Sequence, residues 1–284
     1  MGAAAIVVGD ALVDEVDGAA HVGGAALNVA VGLARLGMPA SLVAMVGDDA
    51  PGRAVRAHVE RHGVELLATP APHGTAVATA VRDGGTMRYD FNRAGLERLV
   101  DLGGLEERMR QAPLVVASCF AAGHDAQIAP LLEHAAGRLV VDPNARPAYL
   151  AAPGASDRFA AGLERLAAVS ALVKLSDEDA ALLWGAAPAA AAERLLGLGA
   201  RAVVVTEGAA GATAWTAAGP IHAPIAQLPG EIVDTIGAGD SVLASLTASL
   251  LADGDRLDWA RALDRAMAIA AATVRGAGGL LRVP

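Results

Sequence analysis

Short runs of β-branched and apolar residues alternate with longer segments of helical periodicity along most of the chain. The first two predicted strands are AIVVGD and SLVAMVG. Each is followed by a segment of helical periodicity: ALNVAVGLARLG, which ends at Gly37, and PGRAVRAHVERHG, which ends at Gly63. The alternation resumes with LVVAS, a helical stretch near 124–136, RLVVDP, a helix near 157–168, ALVKLS, two short helices and AVVVT. Strands joined by helices in this order predict an α/β fold whose central sheet is mostly parallel and covered on both faces.

One segment departs from this alternation. TAVATAVRD and TMRYDFN are two strands of alternating polarity joined at Gly84-Gly85, a dipeptide suited to a two-residue hairpin turn. We therefore predict a β-hairpin over residues 71–92 that projects from the α/β core. The segment EVDGAAHVGG is predicted to pair with it and form a small β lid. Since no long linker, repeat or charge run marks a boundary, we expect one domain over 1–284, with the lid inserted at about 11–22 and 71–92.

Composition and charge exclude several classes of function. The formal net charge is -9 and no basic block occurs, which argues against a nucleic-acid partner. The start of the chain has no export signal and no apolar run suits a membrane span, so we expect a cytoplasmic protein without membrane contact. The single cysteine, Cys119, lies in the apolar run LVVASCF and is expected to pack in the core. The histidines show no ligand spacing with acidic or cysteine partners, so no dedicated metal cluster is expected.

The segment VDTIGAGDSVLASLTASLLADG carries the most informative chemistry. A glycine-rich turn opens a strongly apolar helix and places Asp240 near its first turn. Gly237, Ala238 and Gly239 let backbone N–H groups approach an anion, and the helix dipole favours negative charge there. Phosphoryl transfer needs such charge stabilisation and a group that takes the proton of the attacking hydroxyl, which Asp240 supplies. We expect the helix N-terminus to keep this carboxylate ionised near neutral pH; the alternative is a tight turn with Asp as a cap.

DTIGAGD resembles the C-terminal signature of the ribokinase-like, or PfkB, carbohydrate kinases, and GGAALNVAVGLARLG followed by MVGDDAPGR resembles their N-terminal signature. The resemblance implies a three-layer ribokinase-like sandwich that phosphorylates a sugar hydroxyl with ATP, with Asp240 as base and the GAGD loop as anion hole. It also implies that Gly23, Gly24 and Asn28 bind sugar hydroxyls. Asp14 falls where the family places a carboxylate that binds the substrate, whereas Asp10 is interpreted as the end of a strand.

Two further segments, KLSDEDAALLWG and VVVTEGAAGA, resemble the family's nucleotide-binding side. The resemblance implies nucleotide contacts from Ser176, Thr206, Gly208 and Gly211, with Asp179 helping to hold Mg²⁺ through water. Ser176 and Asp179 stand where many members have Asn and Glu, and SDED alone would be a helix cap and first turn. ATP and Mg²⁺ are the implied cofactors. A monovalent cation near the DTIGAGD loop stays open because VRGAGGLLRVP departs from the family pattern.

Substrate choice depends on VVDPNARPAYL and YDFNRAG, which resemble the fructokinase and 2-keto-3-deoxygluconate kinase branch. Arg146 and Arg93 are candidates to reach the substrate, the alternative for each being a surface salt bridge. Both together would suit an acidic sugar. Phe91-Asn92 lacks a tyrosine hydroxyl that relatives offer, so a fructose-like hexose is preferred, with 2-keto-3-deoxygluconate, ribose and nucleosides as alternatives.

Two other functions, an oxidoreductase and a catalytically silent sensor, are less consistent with these residues. A Rossmann oxidoreductase lacks its GxGxxG turn after the first strand. A catalytically silent sensor that binds sugar or nucleotide is opposed by Asp240 and the intact GAGD loop. The small-molecule sugar is thus the expected partner, and the family resemblance implies a homodimer formed through the lids.

Overall fold

The computed structural model of the chain describes residues 4–16, 18–83 and 86–284. The turn predicted at Gly84-Gly85 lies outside the described residues. The strands are β1 (Ala5–Gly9), β2 (Leu12–Val16), β3 (Ala19–Gly23), β4 (Ala40–Met45), β5 (Glu65–Thr69), β6 (Ala76–Asp83), β7 (Thr86–Phe91), β8 (Val115–Ser118), β9 (Leu139–Asp142), β10 (Ser170–Ser176), β11 (Ala202–Thr206), β12 (Ala212–Thr216) and β13 (Gly219–Ala223). The helices are α1 (Ala25–Arg35), α2 (Ala50–Arg61), α3 (Arg93–Leu96), α4 (Glu106–Gln111), α5 (Asp125–His134), α6 (Ala155–Ala167), α7 (Asp177–Trp184), α8 (Pro188–Leu198), α9 (Ala238–Asp253) and α10 (Trp259–Thr273).

Within the described part of the chain, a large sheet has the strand order β13-β12-β11-β10-β9-β8-β1-β4-β5. All pairs from β11 to β5 are parallel, and β12 and β13 close one edge as antiparallel strands. The residues of β1 alternate between two apolar clusters: Ala5 and Val7 pack with α1, α9 and α10, whereas Ile6 and Val8 pack with α4, α5 and α6. The prediction of a mostly parallel sheet covered on both faces is therefore confirmed.

Several elements were not predicted from the sequence. Strand β5 lies at the edge of the large sheet and is mostly exposed or half-buried, so it lacks the continuous apolar run of its neighbours. The hairpin of β12 and β13 turns at Ala217-Ala218, without the Asn-Gly or Gly-Gly pair that signals such turns. Helices α3 and α4 are too short for a helical period to be recognised.

A second sheet has the order β3-β2-β6-β7 among the described residues. Strands β2 and β6 pair in parallel, which joins the two segments that were predicted to form the lid. Leu12, Ala76 and Ala78 form a buried apolar cluster on this sheet, and Tyr89 and Phe91 pack against it. The small sheet therefore has an apolar face of its own beside the large one.

Two side chains tie the base of the small sheet to the core. Asp49 caps α2 by accepting from Gly52 N at 2.8 Å, and it also accepts from Thr75 N at 2.8 Å and Thr75 Oγ1 at 2.6 Å. Asn92 accepts from Val77 N at 3.0 Å and donates to Thr75 O at 3.0 Å. The lid strands thus leave and rejoin the core at one hydrogen-bonded point. No helix in the described ranges has the length and apolar character needed to cross a membrane.

Candidate active site

A cavity of about 720 Å³ lies where the carboxyl ends of β1, β8 and β9 meet the small sheet and the start of α9. Ligands of open α/β folds bind at this edge, because parallel strands present their ends and the following loops there. Polar and charged residues from six segments line it: Asp10, Asp14, Asn28, Tyr89, Asp90, Asn144, Arg146, Tyr149, Lys174 and Asp240.

Asp240 occupies the first turn of α9, as predicted, and its side chain is buried. Its Oδ2 accepts a hydrogen bond of 2.8 Å from Nδ2 of Asn28, which the chain places 212 residues earlier on α1. Gly237 caps the helix with φ of 75°, and a Cβ there would lie 2.2 Å from the carbonyl oxygen of Gly279. Only glycine fits at that position, because both the backbone angle and the space exclude a side chain.

Burial raises the pKa of Asp240 to about 7. The hydrogen bond from Asn28 and the charge of Lys174 lower the pKa, whereas the carboxylates of Asp142 and Asp10 raise it further. Desolvation and the neighbouring carboxylates therefore act against the helix N-terminus, which was expected to keep this carboxylate ionised near neutral pH. A carboxylate with a pKa near 7 is suited to general-base catalysis at neutral pH.

The residues expected on the sugar side lie together. Asp14 lines the cavity from β2, and burial together with the charge of Asp10 raises its pKa to about 6. A Cβ on Gly23 would lie 2.6 Å from Asp14 Oδ2, so this glycine leaves room for the carboxylate. Gly24, with φ of 109°, caps α1 and lines the cavity.

Asp10 was left out of the predicted site, yet it is buried and lines the cavity. Its Oδ1 accepts from Ala26 N at 3.1 Å, which ties it to the first turn of α1. Its position directly after β1, at the carboxyl edge of a parallel sheet, is the signal that could have identified it.

Arg146 and Arg93 are separated by the fold. Arg146 lines the cavity from the loop after β9, and neighbouring acidic groups raise its pKa against the effect of burial. Arg93 starts α3 outside the cavity, with 67% of its side chain exposed, and pairs with Glu97 at 2.9 Å. The sequence-based placement of Arg93 at the substrate is not supported, because the first turn of α3 directs it toward Glu97 one turn later.

The residues expected on the nucleotide side follow β10 and β11, whose ends are in register at Ser176 and Thr206. Ser176 caps α7: its Oγ accepts from Asp179 N at 3.0 Å, while Asp179 Oδ2 accepts from Ser176 N at 2.9 Å. Asp179 Oδ1 also accepts from Ala145 N at 2.8 Å, so both oxygens of the buried carboxylate accept hydrogen bonds. The fold gives these two residues the capping role that was weighed as the alternative.

Thr206 donates from Oγ1 to Leu175 O at 3.4 Å, and Gly208 and Gly211 form the turn after β11. A Cβ on Gly211 would lie 2.2 Å from Ala223 O, so the turn itself requires this glycine. None of these residues borders the cavity that holds Asp240, although they share the same edge of the large sheet. Among the described residues no group of three or more His, Cys, Asp or Glu side chains could hold a metal ion.

Two features of the cavity were missed or only partly foreseen. The buried Lys174 donates from Nζ to Asp142 Oδ2 at 2.9 Å and borders the cavity beside Gly239. The aromatic rings of Tyr89, Phe91 and Tyr149 form another part of the cavity wall. The ring centroids of Phe91 and Tyr149 are 5.0 Å apart. Cys119 is buried at its base, and burial raises the pKa of its thiol, in keeping with the packing role expected for it.

A buried carboxylate lies at the N-terminus of an apolar helix and faces a polar cavity at the carboxyl edge of a parallel sheet, an arrangement whose chemistry would suit phosphoryl transfer to a hydroxyl. The family model for "pfkB family carbohydrate kinase" matches residues 5–284. The chain therefore belongs to the PfkB family of carbohydrate kinases, as its two signatures predicted, and it is an ATP-dependent kinase of that family.

Relatives within the family differ in substrate. The chain is 33% identical over 251 residues to a fructokinase of Rhizobium leguminosarum bv. trifolii, covering 83% of this chain and 73% of the relative. It is 28% identical over 295 residues to an aminoimidazole riboside kinase of Salmonella typhimurium, covering 98% of this chain and 91% of the relative. The structure of the Salmonella enterica aminoimidazole riboside kinase, complexed with aminoimidazole riboside and an ATP analogue, superposes with a TM-score of 0.77 at 26% identity over 97% of this chain and 95% of that one. The structure of a Xylella fastidiosa fructokinase with bound ATP superposes with a TM-score of 0.80 at 22% identity, over 98% of this chain and 94% of that one. This likeness supports the fold.

Proposed function

We propose that this enzyme transfers a phosphoryl group from ATP to a hydroxyl of a neutral sugar, with a fructose-like hexose as the preferred acceptor and Asp240 as the catalytic base. The observation that carries the proposal is the placement of Asp240. It is buried, held by Asn28 at 2.8 Å, and set at the start of α9 in a cavity large enough for a small sugar. Its pKa of about 7 allows it to accept the hydroxyl proton at neutral pH.

The other residues take roles that follow from their positions. The amide groups of Gly237, Ala238 and Gly239 belong to the turn that opens α9, where N–H groups lack acceptors within the helix and would stabilise the charge of the transferred group. The N–H of Ala238 also donates to Thr235 O at 3.3 Å within this turn. Asp14 and Asn28, with the close approach allowed by Gly23 and Gly24, would bind the sugar hydroxyls.

The site fits Mg-ATP without a protein cage for the metal. When bound, Mg-ATP supplies the phosphoryl group and a cation that neutralises its charge. The glycine turn of α9 offers an anion cradle, and the turn at Gly208 and Gly211 lies at the same sheet edge for the nucleotide. Because Asp179 is engaged by backbone N–H groups, it would act on Mg²⁺ only through water. The loops at Asp234 and Gly278, joined by a 3.3 Å hydrogen bond, are where a monovalent cation would bind beside DTIGAGD.

The charges of the cavity favour a neutral acceptor over an acidic one. Asp10, Asp14 and Asp240 line it, against Arg146 and a Lys174 that is paired with Asp142. A carboxylate on the substrate would meet more negative than positive charge there. Fructose is therefore preferred over 2-keto-3-deoxygluconate as the acceptor.

A riboside is the second candidate acceptor, on the strength of the aromatic wall. Both tyrosines of the chain and one of its three phenylalanines border the cavity. Rings in this arrangement stack on a flat base as readily as on a sugar face. A relative that aligns with 98% of the chain is named for such a substrate.

The proposal is tested by ADP release from Mg-ATP with fructose, 2-keto-3-deoxygluconate, ribose, adenosine and aminoimidazole riboside as acceptors. We expect turnover with fructose or a riboside, and a loss of about 100-fold to about 10,000-fold in kcat for Asp240→Asn. Asp255→Asn, a carboxylate on the surface with 92% of its side chain exposed, is the matched control and should retain activity. If ATP and a sugar bind without turnover, the protein is a silent sensor and the proposal fails.

The homodimer expected through the lids remains part of the proposal. Strands β3 and β7 are edges of the small sheet, and exposed edges gain by pairing. Light scattering at micromolar concentration should give twice the mass of one chain, and a monomer would count against it.

A further inference from the structure

Lys174 is the only lysine among the 22 lysine and arginine residues of the chain. It is not on the surface, where lysine usually lies, but in β10, between β9 and β11 inside the large sheet, with 4% of its area exposed. A chain that otherwise uses arginine for every basic position thus has its one ammonium group at the wall of the active-site cavity.

The ammonium group is held in place by a hydrogen bond to Asp142 on the neighbouring strand β9. Lys174 Nζ donates to Asp142 Oδ2 at 2.9 Å, and Asp142 Oδ1 accepts from Asn144 N at 3.1 Å. The charges of Asp142, Asp179 and Asp240 keep the pKa of Lys174 raised, although burial acts in the opposite direction. The hydrogen-bonded contact with Asp142 thus favours the charged form of Lys174.

The same group lies against the glycine turn of α9. A Cβ on Gly239 would be 3.0 Å from Lys174 Nζ, which places the ammonium beside the backbone of the anion hole. An ammonium has three N–H donors, and in the described ranges the hydrogen bond to Asp142 accounts for one. The remaining donors are available to an anion that enters between Gly239 and Asp240.

Stability does not explain this ion pair. Taking an ammonium and a carboxylate out of water costs several kcal/mol for each ion, so well-packed apolar residues of similar volume are usually as stable or more so.

We propose that Lys174 is a catalytic residue that contacts the transferred phosphoryl group and supplies a full positive charge to the anion hole of Gly237, Ala238 and Gly239. The inference rests on the proposed function. In the step itself, the bond from the phosphorus to the leaving oxygen of ADP breaks and the bond to the sugar oxygen forms. The hydroxyl proton goes to Asp240, and Lys174 keeps its proton throughout.

The first test measures binding of a transition-state analogue, ADP with aluminium fluoride and the sugar identified by the acceptor panel. We expect Lys174→Met to lose about 100-fold or more in affinity for this complex, and about 100-fold to about 1,000-fold in kcat. Affinity for ADP alone and for the sugar alone should change by less than about threefold, because a transition-state contact is absent from both. Arg53→Met, which removes an exposed positive charge, is the matched control and should bind like the wild type.

Because Lys174→Met leaves Asp142 buried without its partner, a second variant separates folding from contact. The double variant Lys174→Met, Asp142→Asn removes both charges and should unfold near the temperature of the wild type. It should still bind the analogue about 100-fold more weakly. Analogue affinity within about threefold of the wild type in this variant would overturn the inference.

The single lysine also permits a direct spectroscopic readout. Protein labelled with ¹⁵N only in lysine has one side-chain ammonium signal, and we expect it to shift when ADP and aluminium fluoride bind with sugar. An unchanged signal in a complex that forms would overturn the contact. A wild-type protein that binds neither ADP nor the analogue would overturn the proposed function and the inference together, whereas normal wild-type turnover with an active Lys174→Met overturns the inference alone.

Discussion

At the scale of single residues, the ionisation of Asp240 sets the pH range of the proposed reaction. Burial raises its pKa to about 7, and the base must be ionised to accept a proton. We therefore expect kcat/KM to fall about tenfold per pH unit below about pH 7 and to level off above it. Initial rates between about pH 5 and about pH 9 measure this, with Asp255→Asn as a control that should give the same profile. A rate that stays constant down to about pH 5 would mean that Asp240 is not the titrating base.

Residues in the signatures were predictable, and residues that meet only through topology were not. Asp240, Asn28 and Asp14 stand in recognisable motifs, and the fold brings them to one cavity. Lys174 and Asp142 lie in strand patterns 32 residues apart, and they meet because β9 and β10 are neighbours. The pattern of apolar residues within either strand does not indicate which strand lies beside it, so this pair could not be predicted from the sequence.

At the scale of elements, the start of α7 tests whether Ser176 serves the helix or the nucleotide. Its hydroxyl and Asp179 form a capping box, so Ser176→Ala should lower the free energy of unfolding by about 1 kcal/mol. The KM for ATP should change by less than about threefold, because the hydroxyl is already engaged. Chemical denaturation and initial rates measure the two effects. Ser156→Ala, in the first turn of α6 where no side-chain cap forms, is the control. A large rise in KM with unchanged stability would instead assign Ser176 to the nucleotide.

Elements buried on both sides were predicted well, and exposed ones poorly. The runs AIVVG, VVAS and LVVD are continuous in apolar residues because both faces of the large sheet are covered, which makes the pattern strong. Strand β5 and the hairpin of β12 and β13 lie at the two edges of that sheet. Positions that face solvent there need not be apolar, so the apolar pattern of these strands is weaker. Their order in the sheet depends on contacts distant in sequence, which hydrophobic periodicity does not encode.

At the scale of the whole molecule, the candidate active site depends on how the two sheets are held together. Asp14 and Tyr89 reach the cavity from the small sheet, whereas Asp240 and Lys174 reach it from the core. The two sets therefore keep their spacing only if the base of the small sheet is fixed. Asp49 and Asn92 provide that attachment, since both bind the backbone or hydroxyl of Thr75.

Asn92→Ala tests this attachment. It removes the acceptor of Val77 N and Gly95 N and the donor to Thr75 O, so β6 and β7 lose a shared anchor. We expect faster amide hydrogen exchange across β6, a rise of about tenfold in the KM for sugar, and a larger share of ATP hydrolysed without sugar phosphorylation, because a loosened lid admits water. Mass spectrometry of exchanged peptides and the ratio of ADP to sugar phosphate measure these effects. Gln111→Ala, which removes only a hydrogen bond to Glu107 on the surface of α4, should change none of them. If exchange in β6 accelerates while the KM and the ratio stay constant, the small sheet supports the fold without closing over the substrate.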